Sequence, residues 1–66
     1  MEMIIAILLW MQCMLGGGTY TDSQYQSMVT NNAGTINQVL TNEQLSNSVW
    51  TAYGSLVPTV TIIENE

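Results

Sequence analysis

Met3-Ile4-Ile5-Ala6-Ile7-Leu8-Leu9-Trp10-Met11-Gln12-Cys13-Met14-Leu15 is a run of thirteen residues with Gln12 as its one polar member, and Gly16-Gly17-Gly18 closes it. As a helix it would be about 20 Å long at about 1.5 Å per residue. A bilayer core is about 30 Å thick and is usually spanned by about twenty apolar residues, so the length fits a signal-peptide core, a buried helix or a thin, mismatched span. Glu2 stands where a secretory signal carries basic residues, and no small-x-small cleavage site follows. The run has no polar face, which is the pattern of a helix enclosed on every side. Its six Ile and Leu residues favour insertion by about 2 to 4 kcal/mol before Gln12 and the glycines subtract. A self-contained core would need apolar partners that the polar remainder supplies sparsely. This reading therefore places Ile4, Ile5, Ile7, Leu8, Leu9, Trp10 and Leu15 against a membrane or other subunits.

The chain has 66 residues, one cysteine, no Lys, Arg or His, and five acids: Glu2, Asp22, Glu43, Glu64 and Glu66. A domain this small buries only about 60 % of its unfolded surface and is marginally stable without staples. Cys13 has no partner for an internal disulfide, and no zinc site can be built without a second Cys or a His. Within the apolar run Cys13 reads as a small hydrophobe, and Trp10-Met11-Gln12 lacks the small residues expected before a lipid-modified cysteine. Neutralising phosphates requires cations, which argues against nucleic-acid binding. The same lack removes the positive-inside signal, and the neutral Asn- and Thr-rich tail is cheap to translocate, which points weakly to the non-cytoplasmic side.

Two parts are expected: residues 1–18 as an apolar anchor helix with a glycine hinge, and residues 19–66 as a polar helical tail. Thr21-Asp22-Ser23-Gln24 has the capping-box pattern, with Tyr20 and Tyr25 at the spacing of a hydrophobic staple. Twenty residues on, Thr41-Asn42-Glu43-Gln44 repeats the box between Leu40 and Leu45. The pattern predicts helix starts at Asp22 and Asn42, with Thr21, Gln24, Thr41 and Gln44 as cap residues and Gly34 and Gly54 as terminators. True duplication and convergence on cap chemistry both explain the repeat. Tyr25, Met28, Val29 and Ala33 make a thin apolar stripe on the first helix. Leu45, Val49, Ala52 and Tyr53 make a clearer one on the second, widened by Trp50. Thr35–Leu40 is compatible with a helical turn, a short strand or a helix joining both.

Leu56-Val57-Pro58-Thr59-Val60-Thr61-Ile62-Ile63 is rich in β-branched residues, with Leu56, Pro58, Val60 and Ile62 alternating onto one side. Pro58 cannot donate to a ladder, so the segment reads as an edge strand or an unpaired arm. A lone strand needs a partner, and Leu56, Val60 and Ile62 are expected to lie against another polypeptide. Glu64-Asn65-Glu66 ends the arm in solvent.

No activated nucleophile is evident, Gly16–Gly18 lacks the Lys and the spacing of a phosphate loop, and no catalytic, cofactor or metal residue is assigned. Asp22 and Glu43 fall in first turns of helices, where the dipole favours negative charge. The fold class expected is mainly α: an apolar N-terminal helix, a glycine hinge, two short capped amphipathic helices and an extended C-terminal arm. The function expected is a non-catalytic structural or accessory subunit of a virion, filament or membrane complex. Its partners would be other protein subunits in a homo- or hetero-oligomer, with membrane lipid around the helix. Neither a nucleic acid nor a small-molecule substrate is expected. The alternatives are a membrane-active peptide of holin or pore type, and a secreted binding module released from residues 1–18. In plan the chain resembles filament subunits such as pilins and phage coat proteins. No motif matches theirs, and the basic residues that filamentous-phage coats use against DNA are absent.

Overall fold

The computed structural model describes residues 2–64, so Asn65 and Glu66 of the predicted solvated end lie outside the described residues. The chain is mainly helical, with one short strand pair. In order it forms α1 (Glu2–Trp10), β1 (Thr19–Thr21), α2 (Asp22–Asn31), α3 (Ala33–Leu40), α4 (Glu43–Tyr53), a 3-10 turn (Gly54–Thr59) and β2 (Thr61–Ile63).

Helix α1 is the centre of the molecule. Ile5, Ala6, Ile7, Leu8 and Leu9 are all buried, which a helix allows only when it is covered all round. The cover comes from the chain itself: α1 packs against α4 and the 3-10 turn, and also touches α2 and α3. Tyr25, Ile36, Val39, Val49 and Val57 complete the core together with Met14. The Cα radius of gyration is 11.3 Å, against about 11 Å for a compact chain of this length. The expectation that the tail supplies too few apolar partners is thereby corrected. One or two residues from each of the following elements suffice, because the helix they must cover is only nine residues long.

The helix predicted over Met3–Leu15 ends at Trp10, and Gln12 is the reason. Gln12 adopts a left-handed conformation with φ 66°. The Gln12 amide donates to the Leu9 carbonyl at 3.0 Å and the Cys13 amide to the Leu8 carbonyl at 2.9 Å. That pair of bonds is the Schellman arrangement, which satisfies carbonyls that the end of a helix would otherwise leave open. The chain then doubles back, and Met14 drops into the core.

The glycine triplet is a pinned turn. Gly17 has φ 78°, open to glycine without strain, and its amide donates to Thr59 Oγ1 at 2.9 Å. Thr59 in turn donates to the Leu56 carbonyl at 2.6 Å. The Leu15 amide donates to the Tyr20 hydroxyl at 2.9 Å. These bonds aim Thr19–Thr21 alongside Thr61–Ile63, and the two pair in parallel with Tyr20 opposite Ile62. Both of these side chains face the core, while Thr19, Thr61 and Ile63 face outwards.

The predicted eight-residue arm divides in two. Over Gly54–Thr59 the backbone is 3-10, whose period of three turns Gly54 and Val57 inward and leaves Leu56 outside. Only Thr61–Ile63 is extended. The alternation read as Leu56, Pro58, Val60 and Ile62 is therefore corrected to an inward set of Val57, Val60 and Ile62.

Candidate interaction surface

The capping residues come first, since they orient the helices that carry the surface. Thr21 caps α2 in full: its Oγ1 accepts from the Gln24 amide at 3.1 Å, and Gln24 Oε1 accepts from the Thr21 amide at 2.9 Å. The second cap sits one residue later than predicted. Asn42 Oδ1 accepts from the Leu45 amide at 3.0 Å, and α4 begins at Glu43. Thr41 instead closes α3, its hydroxyl donating to the Asn37 carbonyl at 2.9 Å, and Gln44 makes no capping bond among the described residues. Asn outranks Thr as a cap, and with both present in tandem the better acceptor takes the position. Gly34 lies inside α3 and terminates nothing, the break after α2 being made at Asn32. Gly54 does follow α4, in a right-handed conformation that leads straight into the 3-10 turn.

The residues assigned to an anchor divide by position. Ile5, Ile7, Leu8 and Leu9 are buried within the chain, and Ile4 is half-buried. Trp10 and Leu15, at and beyond the end of α1, are exposed at 37 % and 72 %. Of the arm residues, Val60 and Ile62 pack on the chain's own core and Leu56 is exposed. The assignment of Val60 and Ile62 to another polypeptide is corrected here, because β1 supplies within the chain the partner strand that the sequence reading lacked.

The large apolar side chains left exposed are Trp10, Leu15, Leu40, Trp50, Leu56 and Ile63. The Trp50 ring lies over Gly54, where an added Cβ would come within 2.7 Å of it. Two residues further on, the Leu56 methyls lie 3.5 Å from where a Cβ on Gly16 would stand, next to Leu15. Trp50, Leu56 and Leu15 are thus exposed on three segments that come together, α4, the 3-10 turn and the turn after α1. Both tryptophans stay substantially exposed while Ile, Leu, Val and Met fill the interior. The signal missed in sequence was Trp50, which the helical stripe placed at the margin of the buried face.

Polar chemistry is sparse. An open surface depression lies at the α3–α4 corner, lined by Gln38, Thr41, Asn42, Glu43, Gln44 and Leu45. Among the described residues no three His, Cys, Asp or Glu side chains come together as metal ligands do. Cys13 is a free thiol, half-buried, with Asn32 Nδ2 at 3.7 Å from its sulfur. Tyr25 is 3 % exposed, and burial pushes its phenol pKa up, with the Asp22 carboxylate adding to the shift. No helix among the described residues is long and apolar enough to cross a membrane. No protein family, curated protein or solved structure matches the chain.

Proposed function

We propose that the chain is a small non-catalytic accessory subunit of a larger assembly, and that it attaches to a partner protein through the surface formed by Trp50, Leu56 and Leu15. The observation that carries this is the placement of Trp50. A large aromatic side chain held over Gly54 and 44 % exposed, on a helix packed against the 3-10 turn that carries the exposed Leu56, is the kind of anchor that dominates protein interfaces. Contiguous exposed apolar surface on a small domain marks a binding face more often than scattered single residues do.

In this proposal α1 has a different part from the anchor expected of it. Since α1 and Met14 supply six of the eleven core residues, lifting α1 into a bilayer or against another subunit would remove the centre of the domain. The same fact weighs against a binding module of residues 19–66 released from residues 1–18, which would lose those side chains. A virion, filament or membrane complex all remain suitable settings, with attachment made by surface contact in each.

The test is incorporation of tagged chain into its native assembly, followed by co-sedimentation. Trp50→Ala and Leu56→Ser should leave the helical circular dichroism intact and reduce incorporation at least about tenfold, as loss of an interface anchor does. Incorporation of both variants at the level of the unaltered chain would overturn the proposal. Dye release from neutral vesicles by the folded chain would favour the membrane-active alternative.

A further inference from the structure

We propose that the outer edge of β2 accepts an extended, lysine- or arginine-bearing segment of another polypeptide as a third strand. In the parallel ladder the Thr61 amide donates to the Gly18 carbonyl at 3.0 Å. Alternation along the strand then turns the backbone groups of Thr61 and Ile63 towards β1 and those of Ile62 away from it. Among the described residues no backbone group of another element bonds the Ile62 amide or carbonyl. On the opposite edge the Thr21 amide is taken by Gln24 Oε1 as the chain enters α2, which leaves only Thr19 open there. At the end of the sheet where Thr21 pairs with Ile63, the open backbone groups are therefore those of β2.

Charge decides the occupant. Asp22 directly follows Thr21 and Glu64 directly follows Ile63, and Thr21 and Ile63 are partners in register. Asp22 and Glu64 thus follow the two strands at their shared end, where Ile63 is 51 % exposed. Nothing in the chain can neutralise them, since it has no Lys, Arg or His. A second copy carries the same net charge of −5, so edge-to-edge pairing between copies is opposed by repulsion. A strand with alternating cationic and apolar side chains meets all three features: the open backbone groups, the exposed Ile63 and the acids that follow the two strands. This edge shares no residue with the Trp50, Leu56 and Leu15 surface, so each proposal can fail without the other.

The test is titration of the isotope-labelled full chain with a short synthetic peptide of alternating lysine and valine. Three controls accompany it: the same peptide with glutamate for lysine, the same peptide N-methylated on alternate amides, and titration at high salt. The expected result is amide shifts centred on Ile62 and Glu64 and slowed exchange of the Ile62 amide. Binding should weaken about tenfold or more with the glutamate peptide and with the N-methylated one, and should weaken with salt. Asp22→Asn with Glu64→Gln should lower affinity for the lysine peptide several-fold while the free spectrum stays native-like. If that variant misfolds, the salt series on the unaltered chain tests the charge contribution alone. Undetectable binding, equal binding of the N-methylated or glutamate peptide, or shifts centred on Trp50 would each overturn the proposal.

Discussion

The Cys13 amide donates to the Leu8 carbonyl across Gln12, and this bond sets where the central helix stops. Gln12 pays a steric penalty there, because a left-handed backbone costs an L-residue about 1–2 kcal/mol. Glycine avoids that penalty and loses about 0.5–1 kcal/mol to chain entropy. Gln12→Gly should therefore raise stability by about 0.5–1 kcal/mol in urea unfolding. A lowered midpoint would show that the Gln12 side chain contributes more than its backbone strain costs.

Thr21 and Asn42 are predicted to matter where Thr41 does not. Thr21→Ala removes an acceptor from the first turn of α2 and should cost about 0.5–2 kcal/mol, as should Asn42→Ala in α4. Thr21→Ser should be nearly silent. Thr41→Ala loses only a hydroxyl bond to exposed carbonyls of α3 and should stay within about 0.5 kcal/mol. Equal losses from Thr41→Ala and Asn42→Ala would put the cap back at Thr41.

Local signals in this chain were legible in proportion to how little they depended on tertiary partners. The capping box at Thr21 and Gln24 and the start of α2 at Asp22 needed only neighbouring residues, and both stand as read. The strand at Thr19–Thr21 was missed because three residues give no periodicity, and because its existence depends on Thr61–Ile63 forty-two residues away in register. Over α3 the sequence is compatible with three states, although Ile36 and Val39, both buried, lie at helical spacing. The end of α1 was legible in hindsight as the single polar residue of the run. The burial of α1 was not: an all-apolar helix needs cover, and whether the cover is lipid, a neighbour or the chain itself is settled by how the tail folds.

Tyr25 predicts an alkaline weakness. Burial, and then the Asp22 carboxylate, raise its pKa above the ordinary 10.0 in the folded state. The folded state thus holds its proton more tightly than the unfolded chain, so this contribution to stability is complete below pH 10 and is lost as pH rises through the folded value. Thermal midpoints should fall above about pH 10, and Tyr25→Phe should flatten that fall. An unchanged fall in the Phe variant would show that the Tyr25 phenol does not carry it.

Gly54 is predicted to resist any side chain. An added Cβ would stand 2.7 Å from the Trp50 ring, so Gly54→Ala must move the indole. The expected results are a shifted tryptophan emission and a loss of about 1–3 kcal/mol. Unshifted emission would mean that Trp50 does not rest on Gly54 in solution.

The central claim is that α1 is the core of a domain that folds by itself, and amide hydrogen exchange of the full chain in detergent-free buffer tests it most directly, with mass confirmed as monomeric by sedimentation. The Leu8 and Leu9 amides should be among the slowest to exchange, opening only with global unfolding, and Leu8→Ala should lower their protection by about 2–5 kcal/mol, as expected for a fully buried leucine. Rapid exchange of the α1 amides in the monomer, with protection appearing only on adding lipid or on self-association, would contradict it.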